Sequence, residues 1–253
     1  MSGAATLVVP CFDEEKRLDG GALLAMVDAD AGLRLLLVDD GSRDGTRGVL
    51  RALADSRPAR IGVLPLDQNG GKAEAVRRGL GAALEAGADV VGYFDADLST
   101  PPAEVSRLLD VLAARDAEVV MGSRVALLGS DIHRKASRHY LGRLFATAAS
   151  HLLAVRVYDT QCGAKVFRRS PALLAALAEP FLSRWAFDVE LLGRLLVGAP
   201  DAPGVPAARV VEVPLAAWRD VPGSKLKPAA MAGALKDLAL IGADLRRRRK
   251  RVA

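Results

Sequence analysis

The 253-residue chain has only two cysteines, Cys11 and Cys162, and three histidines. Two cysteines are too few for a disulfide framework or a structural zinc site, so both read as reduced packing residues. His133, His139 and His151 lack metal-ligand spacing. No apolar run approaches the about 18 residues of a membrane-spanning helix. The opening, MSGAATLVVPCFDEE, passes straight into a strand-like segment without the basic–apolar–small pattern of a secretion signal. A cytoplasmic protein is expected, soluble or peripheral on the inner face of the membrane. Aromatics are scarce at 4%, and Trp185 and Trp218 read as packing residues. No internal repeat is visible. No G-x-G-x-x-G follows the first strand-like run, which disfavours a dinucleotide oxidoreductase.

What is present suits a folded domain: 51% hydrophobic and 26% charged residues. The net charge of +5 is uneven, because Arg246–Arg251 form an unbroken basic run. The other basic residues roughly balance the 30 acidic ones. The body is therefore no general polyanion binder, and no nucleic-acid partner is expected. The tail is a candidate for an anionic membrane surface.

Five short apolar runs, ATLVVP, GLRLLLVDD, RIGVLPL, DVVGYFDAD and AEVVMGSR, alternate with segments of helical spacing. This alternation predicts an α/β fold: a mainly parallel sheet flanked by helices. Asp44 before GTRGVLRAL and the Ser or Thr of STPPAEVSRLL are the expected helix caps. Farther on come a long helical stretch from residue 134, RWAFDVELLGRLL, the strand-like ARVVEVPLAAW and a last helix with an apolar stripe of Met231, Leu235, Leu238 and Ile241 or Gly242. VGAPDAPGVPAA reads as a surface loop. One domain is expected, in three stretches: residues 4–125, residues 126–227, and a terminal helix and basic tail at 228–253.

In such a sheet, ligands collect beyond the carboxyl ends of the strands. Here those ends are PCFDEE, VDDGSRDGT, DQNGGK, DADLS and GSR, all polar. Asp95 and Asp97 are two apart, and on extended backbone they would share a face. Two carboxylates at a crevice suit Mg²⁺ or Mn²⁺, which take one or two carboxylates plus phosphate oxygens. The plain alternative is a solvated pair capping the next helix. Asp39 and Asp40 could accept hydrogen bonds from a base or sugar, or could simply build a turn. Lys72, at a helix start after two glycines, marks a phosphate neighbourhood or is an exposed lysine.

Taken together, VVPCFDEEKRL, LLVDDGSRDGT, NGGKAEAVRRG and FDADLSTPP resemble the family-2 glycosyltransferases of the nucleotide-diphospho-sugar (GT-A) fold. MGSR, DTQCGAKVFRR, RWAFDVELL and VVEVPLAAWRDVPGSKLKP are similar to the dolichyl-phosphate β-glucosyltransferase branch. The resemblance implies that Pro10, Phe12, Glu14, Asp39, Asp40, Lys72, Asp95, Ala96 and Asp97 bind the nucleotide-sugar, with Asp97 and Asp95 on the metal. It implies that Arg124 faces the transferred sugar or phosphates. Lys225 would lie near the diphosphate or acceptor phosphate. Gln161 and Asp188 would lie on the acceptor side.

The implied activity is an inverting, metal-dependent transfer of a hexose, glucose from UDP-glucose first, to a polyprenyl phosphate. A phosphate acceptor needs no base but does need cations, for which Arg134, Lys135, Arg138, Arg219, Lys225 and Lys227 are candidates. A sugar-hydroxyl acceptor would need a base, for which Asp188 or Glu190 is available. A nucleotidyltransferase is disfavoured by the acidic, glycine-free PCFDEE. A non-catalytic binding module is the reading in which Asp97 would be dispensable.

Overall fold

The computed structural model describes residues 5–133, 136–220 and 229–252, without the side chains of 136–141, 229–232 and 234. The five apolar runs are strands β1 (Ala5–Cys11), β2 (Leu33–Asp39), β3 (Ile61–Pro65), β4 (Val90–Tyr93) and β5 (Val119–Ser123). Between them lie α1 (Gly20–Ala29), α2 (Thr46–Ser56), α3 (Lys72–Glu85) and α4 (Pro102–Ala114). Then follow β6 (Asp131–His133), α5 (Ala136–Leu153), β7 (Lys165–Arg168), α6 (Pro171–Leu177), α7 (Phe187–Val197), β8 (Gly198–Ala199), β9 (Ala202–Pro203), β10 (Val210–Pro214), β11 (Ala217–Arg219) and α8 (Ala229–Val252).

The main sheet has the order β3-β2-β1-β4-β7-β5-β10. All its pairings are parallel except those of β7, which runs antiparallel between β4 and β5. β7 has only Val166 and Phe167 between basic residues, too short a period to read from sequence. Its insertion brings residues from beyond the first half into the centre of the sheet. One face of the sheet is covered by α1, α2 and α4 through Leu23, Leu50 and Leu108, the other by α3, α6 and α7 through Leu80, Leu173 and Phe187. On the second side Phe145 of α5, Leu192 of α7, and Leu238, Ile241 and Leu245 of α8 form a further cluster.

Several local expectations need correction. Gly45, not Asp44, precedes α2, and it makes no side-chain cap; Asp44 instead accepts from the Thr46 N–H at 3.0 Å. Before α4 stands Pro101, with Pro102 opening the helix, while Ser99 turns back to Asp97. Proline's fixed φ already suits a helix start, so no hydroxyl cap is required. The loop at 197–208 contains the β8–β9 hairpin and a 3₁₀ turn at Ala207–Arg209. Of the α8 stripe, Leu238 and Ile241 are spent on packing, whereas Leu235 is exposed; the Met231 side chain lies outside the described residues.

Candidate active site

The end of β2 is built to hold the loop that follows β3. Asp40 is buried, and its carboxylate accepts from the N–H groups of Gly70 and Gly71, both at 2.8 Å, and from Asn69 Nδ2 at 3.0 Å. Gly71 has φ +86°, which favours glycine, and a Cβ there would lie 2.9 Å from Arg184 Nε. The glycine N–H groups of NGGK are therefore committed to Asp40 and not held open for a phosphate. Asp39 is fully buried, accepting from Arg47 Nε at 2.6 Å and from the Ser42 N–H at 3.0 Å. The neighbours differ electrostatically. Burial opposes ionisation of Asp39, but Ser42 and Arg47 outweigh it and hold its pKa below the usual value. Burial raises that of Asp40 despite its two glycine donors.

β4 ends at Tyr93, so Asp95 and Asp97 do not lie on extended backbone, and the shared strand face is not how they are arranged. Asp97 sits in a turn closed by Leu98 at φ +51°. Asp97 Oδ1 accepts from the Ser99 N–H at 3.0 Å and from the Ser99 hydroxyl. Its Oδ2 has Arg17 Nη2 at 3.7 Å. Asp95 Oδ1 is 2.5 Å from Lys72 Nζ, and the Asp95 and Asp97 side chains keep 34% and 22% exposure. Burial alone would lower the Lys72 pKa, but Asp95, Asp188 and Asp97 hold it above the usual lysine value. Gly163 allows this approach, because a Cβ there would lie 2.0 Å from Asp95 Oδ2. Pro10 lies on β1, and Phe12, Glu14 and the buried Ala96 line the same end of the sheet. The Glu14 N–H donates to Thr46 Oγ1 at 2.8 Å.

Most of the described acceptor-side candidates are engaged by other residues of the protein. Arg124 makes two bonds to Asp159, Nε at 2.6 Å and Nη2 at 2.7 Å, and stacks 5.4 Å from the Trp218 ring centre. Asp188 lies in the first turn of α7 but is buried: Lys165 Nζ lies 2.5 Å from its Oδ1, and the Tyr93 hydroxyl donates to the same oxygen. Burial first, then Asp188, raises the Tyr93 pKa far above the ordinary value, so Tyr93 stays a donor. Glu190 is fully buried, 2.6 Å from Arg194 Nη2, and accepts from the Leu182 N–H at 2.9 Å. That is a structural role. Gln161 is half-buried, with Nε2 lacking a partner among the described residues. Arg219 is exposed and pairs with Asp131 at 2.8 Å. Lys225, Lys227, Arg134 and Lys135, and the side chain of Arg138, lie outside the described residues. Both cysteines are free and buried, and burial pushes Cys162 up to about 11.

Sequence reasoning missed Arg17, Lys165, Tyr93, Asp159 and Gly163. All five stand within the segments named above, but nothing in their spacing pointed at their partners. The pairing of Lys165 with Asp188 needed the antiparallel β7.

Among the described residues, no group of three or more His, Cys, Asp or Glu could hold a metal ion by itself. The donor set fits an ion completed by substrate oxygens. Among the described residues, Asp97 Oδ2 is met only at salt-bridge length, by Arg17, while Oδ1 is anchored by Ser99. No helix among the described residues is long and apolar enough to cross a membrane.

Residues 6–173 match the model of glycosyl transferase family 2. A dolichyl-phosphate beta-glucosyltransferase of Drosophila melanogaster is 32% identical over 251 residues, covering 88% of this chain and 69% of that protein. A polyprenol monophosphomannose synthase of Mycolicibacterium smegmatis is 29% identical over 191 residues, covering 75% and 71%. The fold is also that of glucosyl-3-phosphoglycerate synthase from Mycobacterium tuberculosis, crystallised with Mn²⁺, UDP-glucose and phosphoglyceric acid. Its TM-score is 0.63 at 20% identity, over 95% of this chain and 80% of that one. The expected GT-A architecture is thus found, and with the family match spanning β1 to the start of α6, the chain belongs to glycosyl transferase family 2.

Proposed function

We propose that this glycosyltransferase moves a hexose, glucose from UDP-glucose by preference, to the phosphate of a polyprenyl phosphate, with inversion. The observation that carries the acceptor class is the state of Asp188. Its Oδ1 is taken by Lys165 and Tyr93 inside the protein. Asp159 is spent on Arg124 and Glu190 on Arg194, while Asp95, held beside Lys72, is assigned to the metal side. A hydroxyl acceptor needs a free base to take its proton. A phosphate monoester, with a second pKa of about 6, is largely dianionic at neutral pH and needs none. The names of the relatives, which act on dolichyl or polyprenol carriers, support the same class.

In this reading a phosphate oxygen of the acceptor attacks the anomeric carbon from the face opposite the leaving group. The bond to the donor diphosphate breaks, and its electron pair departs with the nucleoside diphosphate. Bound Mg²⁺ or Mn²⁺ would neutralise part of that charge. Asp97 is the residue to hold the ion, with Asp95 beside it, and Lys72 and Arg17 add positive charge at the same place. Asp39 and Asp40 shape the nucleotide side by pinning the β2 and NGGK turns, alongside Pro10, Phe12 and Glu14. Arg124, held flat by Asp159 and Trp218, Gln161, Arg138, Arg219 and Lys225 are the acceptor-side residues of the proposal. The finer division into residues 4–125, 126–227 and 228–253 follows these roles. The Arg246–Arg251 run is the candidate for anionic lipid.

The test is transfer of radiolabelled sugar to polyprenyl phosphate and, in parallel, to soluble sugar acceptors, each with and without chelator. Label should enter the organic phase only when divalent ion is present. Label appearing in the aqueous product alone would reject the lipid acceptor, and full turnover in chelator would reject the role of Asp97.

A further inference from the structure

The segment between β5 and β6 leaves the sheet at Ser123, at the end that carries Asp95 and Asp97. At its tip stand Leu127 and Leu128, 54% and 107% exposed. The tip is a closed turn. The Ser130 N–H donates to the Leu127 carbonyl at 3.0 Å, and the Ser130 hydroxyl donates to the same oxygen at 2.7 Å. That hydroxyl also accepts from the Leu127 N–H at 2.9 Å, and Gly129 takes φ +85°. These bonds fix the backbone, so the leucines are presented to solvent and not folded back. Behind the tip, β6 pairs with β11, and the Arg219 N–H donates to the Ser99 carbonyl at 3.1 Å, two residues beyond Asp97. The turn is therefore tied to the rim of the site.

A single exposed leucine carries no message. Two adjacent ones on a pinned turn, at the rim of a crevice whose proposed acceptor is a membrane lipid, match a bilayer interface with apolar groups set against acyl chains; in sequence, the basic residues Arg134, Lys135 and Arg138 follow. The basic tail is placed differently. Asp237 of α8 accepts from the Ser183 hydroxyl at 2.6 Å, close to the start of α7. Leu245 lies against Gly193, and Arg248 meets Glu179 at 2.5 Å. The helix thus runs alongside α7 and carries Arg246–Arg251 away from Asp188.

We propose that the Leu127–Leu128 turn inserts into the surface of a lipid bilayer and seats the crevice on the membrane that supplies its acceptor. This deepens the polyprenyl-phosphate reading, but its main readout does not require catalysis. The full chain and a Leu127→Ser/Leu128→Ser variant are floated with phosphatidylcholine vesicles. Apolar insertion should survive about 0.5 M salt, at which exposed charges are screened within a few Å. The variant should bind at least about tenfold more weakly, with an unchanged melting temperature.

Equal flotation of the two proteins overturns the proposal. So does wild-type binding that requires anionic lipid and disappears in salt, which would point to the Arg246–Arg251 run. A dimer lost in the variant without any flotation difference also overturns it, assigning the turn to a second copy of the chain. In the transferase assay, the variant should match wild type on a short, water-soluble prenyl phosphate and fall behind on a vesicle-embedded long-chain one. If neither protein glycosylates any prenyl phosphate while the flotation difference persists, the acceptor reading fails and the docking turn stands.

Discussion

Asp39 and Asp40 close β2 with their carboxylates buried and bonded to Arg47, Ser42, Asn69, Gly70 and Gly71. Asp95 and Asp97, just beyond β4, stay partly exposed and face the long, flexible side chains of Lys72 and Arg17. The residue types are the same and the strands lie on either side of β1. What separates the pairs is how many carboxylate oxygens the protein has already satisfied. A carboxylate filled by backbone N–H groups builds a turn, and its rearrangement would strand those donors at about 1–3 kcal/mol each. One that is itself partly exposed, and held there by a lysine or arginine, can exchange that partner for a ligand.

The strongest way to break this comparison is Asp97→Asn. Turnover should fall on the order of 10³-fold, the upper range for losing a preorganised charge-stabilising group, while the melting temperature stays close to wild type. A variant with near-normal steady-state rates would show that the available oxygen is not the working one.

Lys165→Met tests the opposite class, a carboxylate committed to the interior. It leaves Asp188 buried with Tyr93 as its remaining partner, which should cost about 3–5 kcal/mol. For a chain of this size that is a fall of roughly 10 °C in a thermal melt. Adding Asp188→Asn should recover part of the loss, because the uncompensated charge is gone. Additive losses would argue against the pair.

Gly163→Ala sharpens the comparison without altering any charge. The new methyl would lie 2.0 Å from Asp95 Oδ2 and must displace that carboxylate. A shift of about 1 Å is enough for a rate loss on the order of 10²-fold. Circular dichroism should show an intact fold; unchanged kinetics would place Asp95 outside the working geometry.

The smallest effect is a pair of slopes. Asp39 has a lowered folded-state pKa, so the stability it contributes is present above its unfolded pKa and lost as pH falls through the folded value. Asp40 has a raised one, so its contribution is present below the unfolded pKa and lost as pH rises through the folded value. Denaturation between about pH 5 and 3 should therefore show stability falling less steeply on acidification in Asp39→Asn, and more steeply in Asp40→Asn, than in wild type. Parallel curves for all three proteins would contradict the assignment.

The first five strands and their helices were legible because each is a local hydrophobic period ended by polar turns. So was the gathering of polar residues at the candidate site, since parallel strands place their polar ends together. Other features lay beyond local reading. β7 has two apolar residues and is a strand because β4 and β5 leave a slot between them. Asp188 looked like an accessible acid on a helix, yet Lys165 and Tyr93 enclose it. Asp95 and Asp97 looked like a strand-end pair, yet the strand stops before them.

By itself, the sequence determined the alternation of strand and helix, the gathering of aspartates and Lys72 at one end of the sheet, and the basic run at the far end of the chain. Those follow from residue type and spacing alone. Tertiary structure alone decided which aspartates are occupied and which are available. It also decided that Leu238 and Ile241 of the α8 stripe pack inward while Leu235 stays exposed, and that the leucine turn stands at the rim. Hydrogen bonding and burial depend on partners 30 to 95 residues away, such as Gly70 for Asp40 and Tyr93 for Asp188, and no local pattern encodes such a meeting.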